Sequence, residues 1–306
     1  MRGSDVISVR DLGREGLERV FAETDRIAAM PEAERRRLCA GRSLGYLFFE
    51  PSTRTRLSFE AAMASVGGTS LGIADSATSS AQKGESLADM VRIMSMYTDA
   101  LVLRHPLDGS SRFAAEVSDR PVINGGSGTE EHPTQAIQDL YTMRRERGRI
   151  DGLTVGIVGD LKYGRTVYSL LHALGNYDVK VHLVSPESLR IRPESVYEIR
   201  KRLDLAESTS LGDCIDELDV VYVTRVQRER FPDSEEYQRV RGSYVVGTDM
   251  LQKMRRGAIV MHPLPRLDEI STEVDSTPAA RYFEQARNGM RTRAALLALI
   301  LADGGP

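Results

Sequence analysis

The feature that most constrains the fold is a series of short apolar stretches separated by helical patterns. In the second half they lie at residues 153–159 (LTVGIVG), 179–184 (VKVHLV), 219–223 (DVVYV), 244–247 (YVVG) and 258–261 (AIVM). Stretches of that length read as buried strands, and helices between them predict a mostly parallel sheet covered on both faces. The first half repeats the scheme, with strands at 43–49, 69–74, 100–103 and 121–124. Helices are predicted at 14–29, from 53 to the glycines at 67 and 68, at 86–97, at 111–117, and from Pro133 to Gly148. A last helix spans 278–301, and its apolar end (AALLALILA) is able to fold back on the first half. The predicted class is α/β: two doubly wound domains, each a mostly parallel sheet flanked by helices, with the cleft between them. Residues 1–134 plus 288–306 make the first domain, 149–287 the second, and 135–148 an interdomain helix.

At 306 residues the chain can bury two cores. Its net charge of -3 gives no general attraction to nucleic acid or to an anionic membrane, so an anion site has to be local. No stretch of about 20 apolar residues is available to span a bilayer. Cys39 and Cys214 are the two cysteines, without metal-ligand spacing, and are expected as reduced buried thiols of a cytoplasmic protein. The histidines suggest no metal.

The stretch from Phe48 to Glu60 (FFEPSTRTRLSFE) carries the first functional signal. Pro51 stops the strand, and Ser52 or Thr53 is placed to cap the helix that follows. Arg54 and Arg56 then sit at the positive end of the helix dipole, where a cation is normally unfavourable by a few tenths of a kcal/mol. Helix-start amides, hydroxyls and a guanidinium together make an anion site, most naturally for phosphate. Arg56 has a simpler reading, an i,i+4 pair with Glu60.

Ligands of open α/β sheets bind beyond the carboxyl ends of the strands. There the polar residues collect: Ser52 to Thr55, Arg104 with His105, His132 and Gln135, Arg165, Arg225 with Gln227, and the run His262-Pro263-Leu264-Pro265-Arg266. The excess of arginines fits substrates with several negative charges. The polar loop 75–85 carries Lys83 near its end. The glycines at 156, 159 and 164 lack the Gly-x-Gly-x-x-Gly spacing of a dinucleotide site, and no nucleophile–base pairing is apparent.

These motifs resemble the transcarbamoylase family. Ser52-Thr53-Arg54-Thr55-Arg56 is similar to its carbamoyl-phosphate signature, and His132-Pro133-Thr134-Gln135 and Arg104-His105-Pro106 to two further shared motifs. Gln82-Lys83-Gly84-Glu85, the run from Gly159 to Thr166, the run from Thr224 to Arg230 and His262-Pro263-Leu264-Pro265-Arg266 resemble the aspartate branch. The resemblance implies transfer of a carbamoyl group from carbamoyl phosphate to the α-amine of L-aspartate, an early step of de novo pyrimidine biosynthesis, with no cofactor. It makes the first domain the carbamoyl-phosphate-binding one and the second the aspartate-binding one. It implies that Ser52, Thr53, Arg54 and Thr55 hold the phosphate, that Thr55, Arg104 and His132 face the carbonyl oxygen, and that Gln135, Pro263, Leu264 and Pro265 surround the carbamoyl amide. Arg165, Arg225 and Gln227 would grip aspartate. Ser79 and Lys83 would enter the site of a neighbouring subunit in a homotrimer with shared active sites. Some members pair with a zinc-containing regulatory chain, and residues 108–116, with Arg112, resemble the face that meets it. Loop 231–237 receives no role.

Overall fold

The computed structural model describes residues 1–74, 84–129, 131–226 and 244–302. Two compact units divide the chain, one of Met1–Gln138 with Asn288–Pro306 and one of Asp139–Arg287.

In the first unit β1 (Ser43–Phe48), β2 (Thr69–Ile73), β3 (Ala100–His105) and β4 (Val122–Ser127) form one parallel sheet in the order β2-β1-β3-β4. Its helices are α1 (Gly13–Ala29), α2 (Glu32–Arg35), α3 (Thr53–Ser65), α4 (Leu87–Tyr97) and α5 (Ser110–Val117). Helix α4 starts where Ser86 Oγ accepts the Asp89 N–H at 3.1 Å. Its buried Met90, Val91 and Met94 then pack with Leu47, Leu101 and Leu103 of the sheet. Each such side chain contributes roughly 1.5–3 kcal/mol by leaving water.

Helix α6 (Pro133–Arg147) crosses the division between the units. The second sheet comprises β5 (Thr154–Val158), β6 (Lys180–Val184), β7 (Asp204–Ser208), β8 (Val220–Val223) and β9 (Ile259–Met261), all parallel, in the order β7-β6-β5-β8-β9. Helices α7 (Arg165–Leu174), α8 (Pro193–Arg200), α9 (Thr248–Leu251) and α10 (Tyr282–Leu301) complete the chain. From residue 288 onward α10 belongs to the first unit. There the buried Arg293 donates to Gln138 Oε1 at 2.9 Å and to Thr134 Oγ1 at 3.3 Å, and its guanidinium lies 5.1 Å from the Phe59 ring centroid.

In both sheets the strand order reverses once. The chain runs outward from β1 to β2, then returns to the other side of β1 with β3 and β4; likewise it runs from β5 through β7, then returns beside β5 with β8 and β9. The reversals lie between β1 and β3 and between β5 and β8, the places where open α/β sheets form a binding crevice.

Four local expectations need correction. Among the described residues, 244–247 make an isolated bridge, Val246 to Ile270, rather than a strand of either sheet. Residues 204–208, with a charge at each end of the first four, form the edge strand β7, whose pairing comes from β6 rather than from its own hydrophobicity. Residues 278–281 do not begin the last helix: Val260 donates to Ala279 and Arg281 donates to Val260, so this segment extends beside β9. Neither Ser52 nor Thr53 caps α3 through its side chain, since Ser52, at the cap position, has φ -157° and ψ 72°.

Candidate active site

Parallel register puts the ends of β1, β3 and β4 on one edge of the first sheet. Phe48 pairs with Arg104, Leu103 with Asn124, and His105 with Ser127. Ser52 to Thr55 follow β1 directly and form the start of α3, with Thr53 and Arg54 exposed and Ser52 and Thr55 half-buried. The first amides of such a helix carry partial positive charge and favour an anion. Arg56 points elsewhere, with Nη1 3.3 Å from Glu60 Oε1, the structural pairing its spacing suggests.

Arg104, the last but one residue of β3, has its guanidinium held on two sides. Nη1 donates to Gly125 O at 3.1 Å, and Nε lies 3.4 Å from Glu50 Oε2. Asn124 shapes the turn beneath it by accepting the Gly126 N–H at 2.8 Å while donating to Ile7 O at 2.9 Å. Gly126 has φ +116°, and a Cβ there would stand 2.9 Å from Arg104 Nη1 and 3.3 Å from His132 Cδ2. The two predicted donors therefore flank one glycine. His132 and Gln135 are buried, at 4% and 7% exposure, at the start of α6.

In the second unit β5, β8 and β9 lie side by side in that order, and a predicted functional residue follows each. Asp160 is fully buried and its Oδ1 accepts the Lys162 and Tyr163 N–H groups at 3.1 and 2.9 Å. That Asp-centred turn delivers Arg165 to the first position of α7. Thr224 Oγ1 donates to Val158 O at 3.1 Å, tying the end of β8 to that of β5 just before Arg225. Beyond β9, Pro263 and Leu264 are half-buried and Pro265 is exposed. Leu264 has φ +51° and precedes a cis peptide bond to Pro265.

The turn after β9 is held from within. His262, 1% exposed, accepts the Leu264 N–H on Nδ1 at 2.8 Å, which leaves the ring proton on Nε2, 2.7 Å from Glu269 Oε1. Burial lowers the His262 pKa, with the Glu269 carboxylate opposing it only in part. Burial alone would raise the Glu269 carboxyl, but hydrogen bonds from His262 and from the backbone carry it below the usual carboxylate value. Arg266 does not join the anion-binding set as the count of strand-end arginines suggests. It forms a bidentate pair with Asp275 and donates to Tyr282 Oη at 3.0 Å. A cavity of about 650 Å³ in this unit, lined among others by Lys162, Arg190, Arg200 and Glu207, contains neither Arg165 nor Arg225. Arg200 there is paired with Glu207 at 2.7 Å.

Ser79, Lys83, Gln227 and loop 231–237 lie outside the described residues. Glu50, Asn124, Gly126, Asp160, Glu269 and Gln285 received no role from the sequence, yet they set the geometry just described.

Comparison with known proteins settles the family. The profile described as aspartate/ornithine carbamoyltransferase, carbamoyl-P binding domain, matches residues 4–145, and its Asp/Orn binding domain partner matches residues 151–300. The chain belongs to the aspartate/ornithine carbamoyltransferase family. Within it, the aspartate carbamoyltransferase catalytic subunit of Cenarchaeum symbiosum is 73% identical over 303 residues, covering 99% of this chain and 98% of that protein. The Nitrosopumilus maritimus catalytic subunit is 68% identical over 301 residues, covering 98% and 97%. Among solved carbamoyltransferases, the catalytic subunit of M. jannaschii aspartate transcarbamoylase superposes with TM-score 0.88 at 44% identity, over 96% of this chain and 97% of that one. Aspartate transcarbamoylase from Trypanosoma cruzi in complex with carbamoyl phosphate and aspartate superposes with TM-score 0.93 at 36% identity, over 98% of each.

Proposed function

We propose that this carbamoyltransferase moves the carbamoyl group of carbamoyl phosphate onto the α-amine of L-aspartate, giving N-carbamoyl-L-aspartate and phosphate, an early step of de novo pyrimidine biosynthesis. The observation that carries the choice of acceptor is the pair Arg165 and Arg225, which follow the neighbouring strands β5 and β8 where the second sheet reverses its order. Two guanidiniums suit the two carboxylates of aspartate and oppose the cationic side chain of ornithine. The aspartate carbamoyltransferases among the relatives, at 73% and 68% identity, support the same acceptor.

In this reading the start of α3, with Ser52, Thr53, Arg54 and Thr55, holds the phosphate. Thr55, Arg104 and His132 face the carbonyl oxygen. Gln135 and the backbone at Pro263, Leu264 and Pro265 receive the carbamoyl amide, and Arg165, Arg225 and Gln227 receive aspartate. The amine attacks the carbonyl carbon, charge grows on its oxygen, and the C–O bond to phosphate breaks as the tetrahedral intermediate collapses. One well-placed donor at such an oxygen is worth about 3–4 kcal/mol. The arginines also offset the repulsion between two anionic substrates held at reacting distance. The departing phosphate takes the amine proton, so no side chain is assigned as base.

The same reading makes residues 1–134 with 288–306 the carbamoyl-phosphate-binding domain, 149–287 the aspartate-binding domain and 135–148 the helix joining them. Ser79 and Lys83 act in the site of a neighbouring subunit of a homotrimer, in the cytoplasm, and the charges of residues 108–116 suit either a zinc-containing regulatory chain or a solvated helix face. A bisubstrate mimic carrying a phosphonate and a dicarboxylate tests the substrate assignment. At a hundred times its Kd it should stabilise the protein by about 2.7 kcal/mol, read as a higher melting temperature; an unchanged melting temperature refutes it. Mixing Arg54→Ala chains with Lys83→Gln chains should restore activity if sites are shared, and no recovery speaks against the trimer.

A further inference from the structure

The loop after β9 is fixed by a buried polar chain that substrate contact alone does not explain. Leu264 sits at φ +51°, in the left-handed region that a leucine does not hold unaided. Its N–H is pinned to His262 Nδ1 at 2.8 Å, and the ring that accepts it is itself oriented by Glu269 at 2.7 Å. Glu269 also accepts the Leu267 N–H at 3.1 Å, so it clasps both ends of the loop. Behind the ring, the His262 N–H donates to Gln285 Oε1 at 2.8 Å, and Gln285 Nε2 donates to Asp139 Oδ1 at 2.7 Å. Asp139, 0% exposed, accepts from Tyr222 Oη at 2.8 Å through its other oxygen, and Thr166, next to Arg165, hydrogen-bonds the same phenol. A continuous set of hydrogen bonds therefore runs from the residue beside Arg165 to the backbone at Leu264.

We propose that His262 and Glu269, backed by Gln285 and Asp139, are positioning residues that aim the carbonyls of Pro263 and Leu264 at the carbamoyl amide. This rests on the carbamoyl-transfer reading above. The pin works only with one tautomer. Nδ1 has to be bare to accept from Leu264, and a carboxylate on Nε2, which accepts and cannot donate, enforces that. The charged groups facing the ring are Glu269, Arg266 and Arg225. A glutamine at 269 can turn its amide N–H toward Nε2, move the ring proton to Nδ1 and set two donors against each other.

The experiment uses the full-length chain with His262→Ala, His262→Asn and Glu269→Gln. An asparagine accepts an N–H two residues ahead, so His262→Asn can restore the pin without the imidazole. Three quantities are compared: the KM of carbamoyl phosphate, the KM of aspartate, and inhibition by inorganic phosphate, which needs only the α3 anion site. His262→Ala should raise the carbamoyl phosphate KM at least tenfold and lower kcat, His262→Asn should recover most of that loss, and Glu269→Gln should behave as His262→Ala does. Phosphate inhibition should stay within twofold in all three. Equal losses in the alanine and asparagine variants, or phosphate inhibition weakening in parallel, would overturn the proposal, because a general packing defect moves every constant together. If His262→Ala does not fold, Glu269→Gln against wild type decides by the same split. Wild-type activity with unaffected variants defeats only the positioning claim, whereas a wild-type chain unable to carbamoylate aspartate defeats the reading beneath it.

Discussion

Gly126→Ala is the substitution whose effect can be worked most fully from the structure. At φ +116° the alanine is strained by about 1–3 kcal/mol wherever its side chain points. Its Cβ would also stand 2.9 Å from Arg104 Nη1, against 3.4 Å for ordinary contact, so the guanidinium has to move by 0.5 Å (3.4 less 2.9). Arg104 cannot swing away freely, because Nη1 is bonded to Gly125 O and Nε faces Glu50. Misplacing a catalytic group by about 1 Å costs on the order of a hundredfold. Half that shift points to a kcat reduced about tenfold, or roughly 1.4 kcal/mol in the barrier. Gly148→Ala separates strain from clash, since Gly148 has φ +76° and nothing within 4 Å of an added Cβ. Both variants should melt earlier, but only Gly126→Ala should lose turnover in a steady-state assay of phosphate release. A Gly126→Ala enzyme with wild-type kcat, or equal kinetic losses in the two variants, would refute the placement of Arg104 and His132 at the reacting carbonyl.

Further outcomes follow from the same geometry. Tyr222→Phe leaves the buried Asp139 carboxylate without its 2.8 Å phenol donor and should cost about 1.5–3 kcal/mol of stability in denaturant unfolding, with Tyr222→Leu costing more through lost volume. Acid should destabilise the second unit through His262 and Glu269 in the same sense. His262 is lowered from 6.5, so its contribution is complete above that value and fades as pH falls toward its folded pKa. Glu269 is lowered from 4.5, so its contribution is complete above 4.5 and is lost as pH falls through its folded pKa. Melting temperatures should therefore fall as pH drops from about 6.5 downward, and a flat profile would contradict the pair. Both thiols are buried, and burial raises Cys39 and Cys214 to about 11, so neither should react with an alkylating reagent at pH 8 until the protein unfolds.

What the sequence made legible were features whose signal is local. The continuous apolar runs located the central strands, because a strand covered on both faces needs no polar alternation. The turn residues after them drew attention to the start of α3 and to the arginines, which the structure does place after strand ends. Edge strand β7 was illegible because its ladder depends on β6, and residues 279–281 were absorbed into a helical pattern although pairing with Val260 won. The supports of the site were hidden for a similar reason. Glu269 and Gln285 reach His262 from 7 and 23 residues away, which no local pattern encodes. One signal was available in principle. Asp139 lies at helical spacing from Ala136 and Met143, on the apolar face of α6, and a carboxylate there predicts buried donors such as Tyr222 and Gln285.

The central claim is that carbamoyl phosphate and a dicarboxylate amine react on this chain, and a turnover assay with matched acceptors tests it most directly. Purified protein with carbamoyl phosphate and L-aspartate should release phosphate and form N-carbamoyl-L-aspartate in equal amounts, with no product from L-ornithine. Ornithine turnover without aspartate turnover, or no product from either, would contradict it.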